Sequence, residues 1–436
     1  MAALDYIYHY AQPSLVERRR VSLSTCTGSG EHPHFFEGTM LYPVDTAQML
    51  VVLSNVVRTH FFLKRPPILD PVLTSSEEML RLEGFSGCCG VYVRADLPRG
   101  SFDGEVFGRG TTNVDFNDPM RRALRQVQER EKVSLSVGRE QVVLERDGAS
   151  TVEKKVKLPV RWLKAFGEVQ TYQPRFQLKL EVEASEALKF VRSLPKNSPP
   201  KQASYARRSG RALRLSQRAA KDGVLLRGTH RVAVLEPLLA RADGLRVWVD
   251  AESEVSGWEV YGRSGRLLLL LSPEVYRGFS GEGQLLESLA SGSGQDLVAR
   301  VRASLKWQAR IEPSALAGRL GVGADEVEGV LAILGARGLA GYDAHQGAYF
   351  HRELPFDMDK VEKLQPRLKG ARKIVEERGV ELLKDGEYMV SGTQVRHHVR
   401  LLEEGDRCSC PWFSRHQGSR GPCKHILAAQ MYADNA

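Results

Sequence analysis

Three cysteines and a histidine crowd the end of the 436-residue chain: Cys408-Ser409-Cys410, then twelve residues, then Cys423-Lys424-His425. Three thiolates and one imidazole make a soft, four-donor set that suits tetrahedral zinc. Cysteines at i and i+2 on an extended segment point the same way, so Cys408 and Cys410 can grip one ion. Gly421-Pro422 permits a sharp turn, which returns Cys423 and His425 to the same point. A zinc ion with all four positions filled by protein has no place for a water molecule. It therefore stabilises structure and does not catalyse. His416, inside the twelve-residue loop, is an alternative fourth ligand. The alternative to any metal is a cluster of reduced, buried thiols.

A second concentration of chemistry is electrostatic. Between Lys189 and Arg231 stand twelve basic residues and one acidic residue, Asp222, a local charge of +11 against +9 for the whole chain. Read as a helix from Ser204 to Lys221, this segment puts Arg207, Arg211, Arg214 and Arg218 on one face. Such a stripe suits phosphates or an acidic partner, because arginine offers a bidentate fork to oxyanions. Its bland alternative is a solvated helix face. Gly210 in the middle weakens the helical reading.

Other sites are thinner. The chain contains no Gly-x4-Gly-Lys-Ser/Thr loop, so it is not a P-loop ATPase by itself. Gly84-Phe85-Ser86-Gly87 and Gly278-Phe279-Ser280-Gly281 start like nucleophile elbows, but Cys88 and Glu282 replace the final glycine. The Gly278 to Gly283 run reads as a turn. Vicinal Cys88-Cys89 reads as buried small hydrophobes. His397 and His398 on one strand face opposite ways, so one of them supports the zinc site or the core. His32 and His34 read as loop residues. No enzymatic reaction is assigned.

The spacing C-x-C-x12-C-x-H, followed by Ile426-Leu427-Ala428, resembles the SWIM-type zinc finger. The resemblance implies that Cys408, Cys410, Cys423 and His425 ligate one structural Zn2+, and that the finger binds protein or DNA. Four further runs resemble bacterial stand-alone SWIM proteins: Gly110 to Phe116, Leu158 to Trp162, Arg277 to Gln284 and Tyr349 to Pro355. That resemblance implies an AAA+ ATPase and a von Willebrand A protein as partners. Two functions follow as expectations. One is a non-catalytic adaptor that binds protein through the finger. The other is a nucleic-acid-binding protein using Arg207, Arg211, Arg214 and Arg218 with Lys424, Arg415 and Arg420.

These groups need elements to position them. A hydrophobic content of 42% and a charged content of 26% describe an ordinary folded protein, and argue against disorder, collagen and a membrane bundle. The longest trusted apolar run, Leu267 to Leu271, is far too short to span a bilayer. The start, Met1-Ala2-Ala3-Leu4-Asp5-Tyr6, lacks a cationic and apolar leader, so the expected compartment is the cytoplasm, with no membrane partner. Six cysteines are too few for a disulfide scaffold.

The expected fold class is α+β and multidomain. Residues 1–190 form a mixed α/β domain, with helices over Thr46 to Thr59 and Pro119 to Lys132. Residues 191–228 are a basic linker and helix. Residues 229–292 form a second α/β segment with a hairpin around Gly262 and Gly265. Residues 293–355 have the rhythm of a winged helix: Leu297 to Gln308, Pro313 to Leu320, Ala324 to Leu334, then a wing. Its third helix carries Asp325, Glu326 and Glu328 outward, which repels phosphate and favours a packing or protein-binding role. Residues 356–436 carry the finger. There, Tyr388 to Val390 and Val395 to Leu402 are strands that deliver the first cysteine pair.

Overall fold

The structure is a computed structural model. It describes residues 6–7, 15–17, 20–23, 25–26, 34–59, 61, 71–105, 109–114, 116, 118–138, 142–144, 157–158, 160–196, 202–274, 278–281, 283–290, 295–354, 365–402 and 404–434. His32, the expected loop residue, lies outside them, as does Glu282. The fold is mixed α/β with several sheets.

Among the described residues, the largest sheet has nine antiparallel strands. Its spatial order is Gln177–Glu183, Gly244–Val249, Ser256–Gly262, Gly265–Leu271, Val91–Pro98, Met79–Phe85, Val72–Ser75, Gly110–Val114 and Thr25–Cys26. Period-two alternation gives its centre two unlike faces. On one face lie Leu80, Leu82, Val93, Ala95, Leu267 and Leu269, which the strand register places side by side. The helix Pro43–Val57 covers this face, with Leu50, Leu53 and Val57 essentially inaccessible. The opposite face carries Arg81, Glu83, Arg94, Asp96, Glu259 and Arg266. Arg81 stands opposite Asp96 and Glu83 opposite Arg94, pairings that favour this register. Apolar–charged alternation of this kind normally marks a half-exposed strand. Here all six charged side chains are at most 11% exposed, because other elements cover them.

The cover comes from the helix Val160–Tyr172 and from a unit spanning 295–351. Phe166 meets the Phe85 ring edge-on at 4.9 Å. The 295–351 unit has helices Gln295–Ser304, Pro313–Leu320 and Ala324–Ala336, then strands Ala340–Asp343 and Ala348–His351. Gly321 ends its second helix with φ +68°, the left-handed conformation that suits glycine. The first helix stops earlier than the spacing predicts, because Lys306 and Trp307 both take positive φ. Asp343, on the hairpin, is inserted into the charged face. Its carboxylate accepts from Arg81 at 3.0 Å and from Arg266 at 2.9 Å. Burial alone would raise the Asp343 pKa, but Arg81, Arg94 and Arg266 hold it well below the usual carboxylate range.

Three sequence expectations are corrected. The segments 1–190 and 229–292 do not fold apart: Val91–Pro98 pairs with Gly265–Leu271, and Gln177–Glu183 with Gly244–Val249, in one sheet over one core. The helix expected to reach Lys132 covers only Asp118–Arg125. Between Val127 and Val133 no apolar residue falls at helical spacing, so nothing binds a further turn to the core.

The third correction is the arginine stripe. No helix runs from Ser204 to Lys221; Ala203–Ser209 and Ala212–Ser216 pair as a hairpin. Gly210, the supposed helix defect, is the first residue of a two-residue turn with φ +61°, where a type II′ hairpin asks for glycine. An added Cβ there would meet nothing within 4 Å, so Gly210→Ala isolates the conformational penalty. It is expected to cost about 1–2 kcal/mol, read from urea melts of the intact protein.

Candidate metal centre

The finger is built on a four-stranded sheet, Val380–Lys384, Glu387–Ser391, Arg396–Arg400 and Arg407–Cys408, with the helices Pro366–Glu376 and Lys424–Ala433 packed together against it. Leu368, Val390, Val399 and Leu427 form its apolar centre. Cys408 pairs with Val399 at the end of the last strand. Two residues on, Cys410 leaves the sheet and caps the short helix Pro411–His416. Gly421 turns the chain with φ +71°. Cys423 then caps the helix Lys424–Ala433, and His425 lies in that helix's first turn.

All four side chains are buried, and their donor atoms lie within 4.8 Å of one another. The His425 Nδ1 is 3.9 Å from Cys408 Sγ and 4.0 Å from Cys423 Sγ. A tetrahedral zinc with Zn–S ~2.3 Å and Zn–N ~2.0 Å separates neighbouring donors by roughly 3.5–3.8 Å. The His425 contacts therefore need roughly half an ångström of closure, and no donor pair needs more than about 1 Å.

Each sulfur also receives a backbone N–H. Cys410 N donates to Cys408 Sγ, Phe413 N to Cys410 Sγ and Ile426 N to Cys423 Sγ, each at 3.4 Å. Two of these donors belong to helix N-termini, which favour thiolate over thiol. Hydrogen bonds from Cys408 and Cys423 hold the Cys410 thiol far below its ordinary pKa. Hydrogen bonding with Cys410 and Cys423 pushes Cys408 far up. Three sulfurs this close share protons unless a cation replaces them, and a divalent ion supplies that charge. The donor chemistry and spacing fit one structural Zn2+, held by Cys408, Cys410, Cys423 and His425.

His416 is not in this cluster; its ring packs on Trp412 at 4.7 Å. The opposite facing of the histidine pair also becomes concrete. His397 lies against the His425 ring at 4.4 Å, while His398 contacts Glu387 at 3.1 Å. Lys424 opens the last helix and lies half-buried beside Gly370. Arg415 is exposed on the Pro411–His416 helix. The other sequence-picked cysteines are quiet. Cys88 and Cys89 are fully buried, and burial pushes the Cys89 thiol up to about 12, which makes it inert at neutral pH.

Sequence reasoning missed how the finger is attached. Arg367 donates to the carbonyls of Arg420 and Pro422 at 2.8 and 2.7 Å, and stacks over Trp412 at 4.5 Å. Gln284 donates to the Gly418 carbonyl at 3.3 Å. A Cβ on Gly421 would fall 2.1 Å from the Gly283 carbonyl, so only glycine allows this approach. Behind the contact, buried Glu168 accepts from the N–H groups of Gln284 and Leu285 and from Tyr172 Oη. The expected turn at Gly278 to Gly283 contains a 3-10 turn, Gly278–Gly281. With Gly283 and Gln284 it joins the finger to the large sheet.

Comparison with known proteins adds one specific result. Residues 397–430 match the model of the SWIM zinc finger family, and the four-donor cluster lies inside that match. The chain thus carries a SWIM zinc finger at its C-terminal end. No curated protein matches the chain. Among solved structures, the chain is similar to a crystal structure of proliferating cellular nuclear antigen from Entamoeba histolytica. That similarity has 9% identity, covers 55% of this chain and 99% of that one, and has a TM-score of 0.37. Among the described residues, no helix is long and apolar enough to cross a membrane.

Proposed function

We propose that this chain is a non-catalytic, cytoplasmic adaptor whose SWIM finger docks a protein partner, with an AAA+ ATPase and a von Willebrand A protein as the partner system. The observation that carries the reading is the outer edge of the finger. Among the described residues, the strand Val380–Lys384 pairs on one side only, with Glu387–Ser391. It leaves Leu382 52% and Leu383 49% exposed, and Val395, on the loop before the next strand, is 62% exposed. An open strand edge with apolar side chains is what an incoming segment needs in order to add a strand. The closed ligand set agrees with an architectural metal, since four protein donors leave no position for substrate or water.

On this reading the 295–351 unit is a winged-helix-like packing module. Asp325, Glu326 and Glu328 are exposed on its third helix, a charge that opposes entry into a phosphate-lined groove. Its hairpin is pinned to the large sheet through Asp343.

The test is recovery of the tagged full chain from its native cell, with and without nuclease, and identification of what co-purifies. The expected result is an ATPase and a von Willebrand A protein retained after nuclease and lost from the Leu382→Glu, Leu383→Glu double variant, whose zinc content stays at one ion per chain. Disappearance of every partner on nuclease treatment, or full retention by the double variant, would overturn the proposal.

A further inference from the structure

The arginine hairpin has a property that stability does not explain. Arg207 and Arg214 stand directly opposite each other across the two strands. Side chains so placed have Cβ atoms about 5 Å apart, and like charges there are destabilising. The repulsion is not relieved. Among the described residues, none of Arg207, Arg211, Arg214 and Arg218 forms an ion pair, and Arg207, Arg208, Arg211, Arg214 and Arg218 are all exposed. Elsewhere the chain pairs its arginines readily: Arg192 with Glu236 and Arg175 with Asp250.

The hairpin is nonetheless firmly held at its base. Ala206 and Leu213 on its inner face, and Val224 and Leu226 of the adjoining strand Val224–Arg227, are buried in the main core. The helix Ala184–Ser193 packs against Ala212–Ser216. The result is a rigid two-stranded ribbon with a cationic outer face and a cationic tip at Arg211.

We infer that this ribbon binds duplex nucleic acid, with Arg207, Arg211, Arg214 and Arg218 contacting backbone phosphates. The inference is independent of the finger's protein partner. A ligand that relieves repulsion along the whole ribbon must itself carry closely repeated negative charge, and a duplex carries one charge per ~1.7 Å of axis. A two-stranded ribbon also matches the major groove, about 12 Å wide, in a way a single loop does not. The all-arginine composition suits oxyanions that accept two parallel hydrogen bonds. With these arginines assigned to phosphates, which carry no sequence information, binding is expected to be independent of sequence.

The experiment titrates the zinc-loaded full chain into a fluorescent 20-base-pair DNA duplex at several salt concentrations, by anisotropy. Each phosphate contact contributes about −0.9 to the slope of log K against log salt. Arg207→Gln with Arg214→Gln is expected to make the slope shallower by about 1.8, and to leave the melting temperature equal or higher, because the repelling pair is gone. Two unrelated duplex sequences are expected to bind within about threefold. Three results would overturn the inference: no duplex binding at low salt, an unchanged slope in the double variant, or a slope altered only by Arg415→Gln with Lys424→Gln in the finger. Capture of a polyglutamate peptide in preference to the duplex would also overturn it, and would reassign the ribbon to an acidic protein.

Discussion

Replacing Cys423 with serine is expected to reduce bound zinc from one ion per chain to nearly none, and to release the finger while leaving the large sheet folded. Cys423 does two things at once: it supplies one of four donors and its sulfur caps the helix that carries His425. Serine keeps a cap but is a poor zinc donor. Zinc binding to small finger peptides is worth ~10–16 kcal/mol at neutral pH, which makes loss of the ion the largest single perturbation available in this region. Elemental analysis would give the stoichiometry, and hydrogen exchange would give the structural effect. Protection should fall across 387–433 and persist across the strands Met79–Phe85 and Val91–Pro98. His416→Ala is the matched control and should keep both metal and protection, since His416 packs on Trp412 away from the cluster. Full metal occupancy in Cys423→Ser, or loss of metal in His416→Ala, would refute the ligand assignment.

The second large effect is expected from Asp343→Asn. The change keeps the shape and removes the charge that Arg81, Arg94 and Arg266 surround, leaving them with Asp96 and, at longer range, Glu259. Removing one partner of a buried ion network costs about 3–5 kcal/mol, because the remaining charges stay desolvated. Urea melts would measure the loss, and exchange in 340–351 would localise it to the hairpin. The pH dependence has a definite sign. The folded Asp343 pKa lies well below its unfolded value of about 3.9. Its contribution is therefore present above that unfolded value and fades only as pH falls towards the folded one. Wild-type and Asp343→Asn stability curves should thus run parallel from pH 7 to about pH 5 and converge in stronger acid. Parallel curves down to pH 2 would show that the carboxylate is not what holds the hairpin.

The finger was legible in the sequence because its chemistry is local. Four donors, two turn residues and a helix that starts at Lys424 all sit within eighteen residues. The hairpin Ser256–Gly262 with Gly265–Leu271, and the helix Pro313–Leu320, were legible for the same reason. Two other features misled. In the basic segment, arginines at steps of four, three and four satisfied a helical period. Yet Ala212-Leu213-Arg214-Leu215-Ser216 alternates with period two, and Gly210 sits where a hairpin turns. Glycine was the better signal. In Met79–Phe85 and Val91–Pro98, the apolar–charged alternation fits strands but carries no sign that the charged face is buried. That depends on Asp343, about 250 residues downstream. Pairings at such separation, like the shared sheet of the first and third expected segments, leave no trace in a local window.

The contact of Gly421 with Gly283 decides where this protein can be cut. Excision of residues 397–430 as a portable cassette would remove the edge strand Val380–Lys384 and the helix that carries Arg367. A longer excision beginning at Pro366 would still part the finger from Gly283 and Gln284, and would take the Arg367 charge away from buried Glu168. Fusion and truncation work on this chain is better planned around the whole body than around the motif.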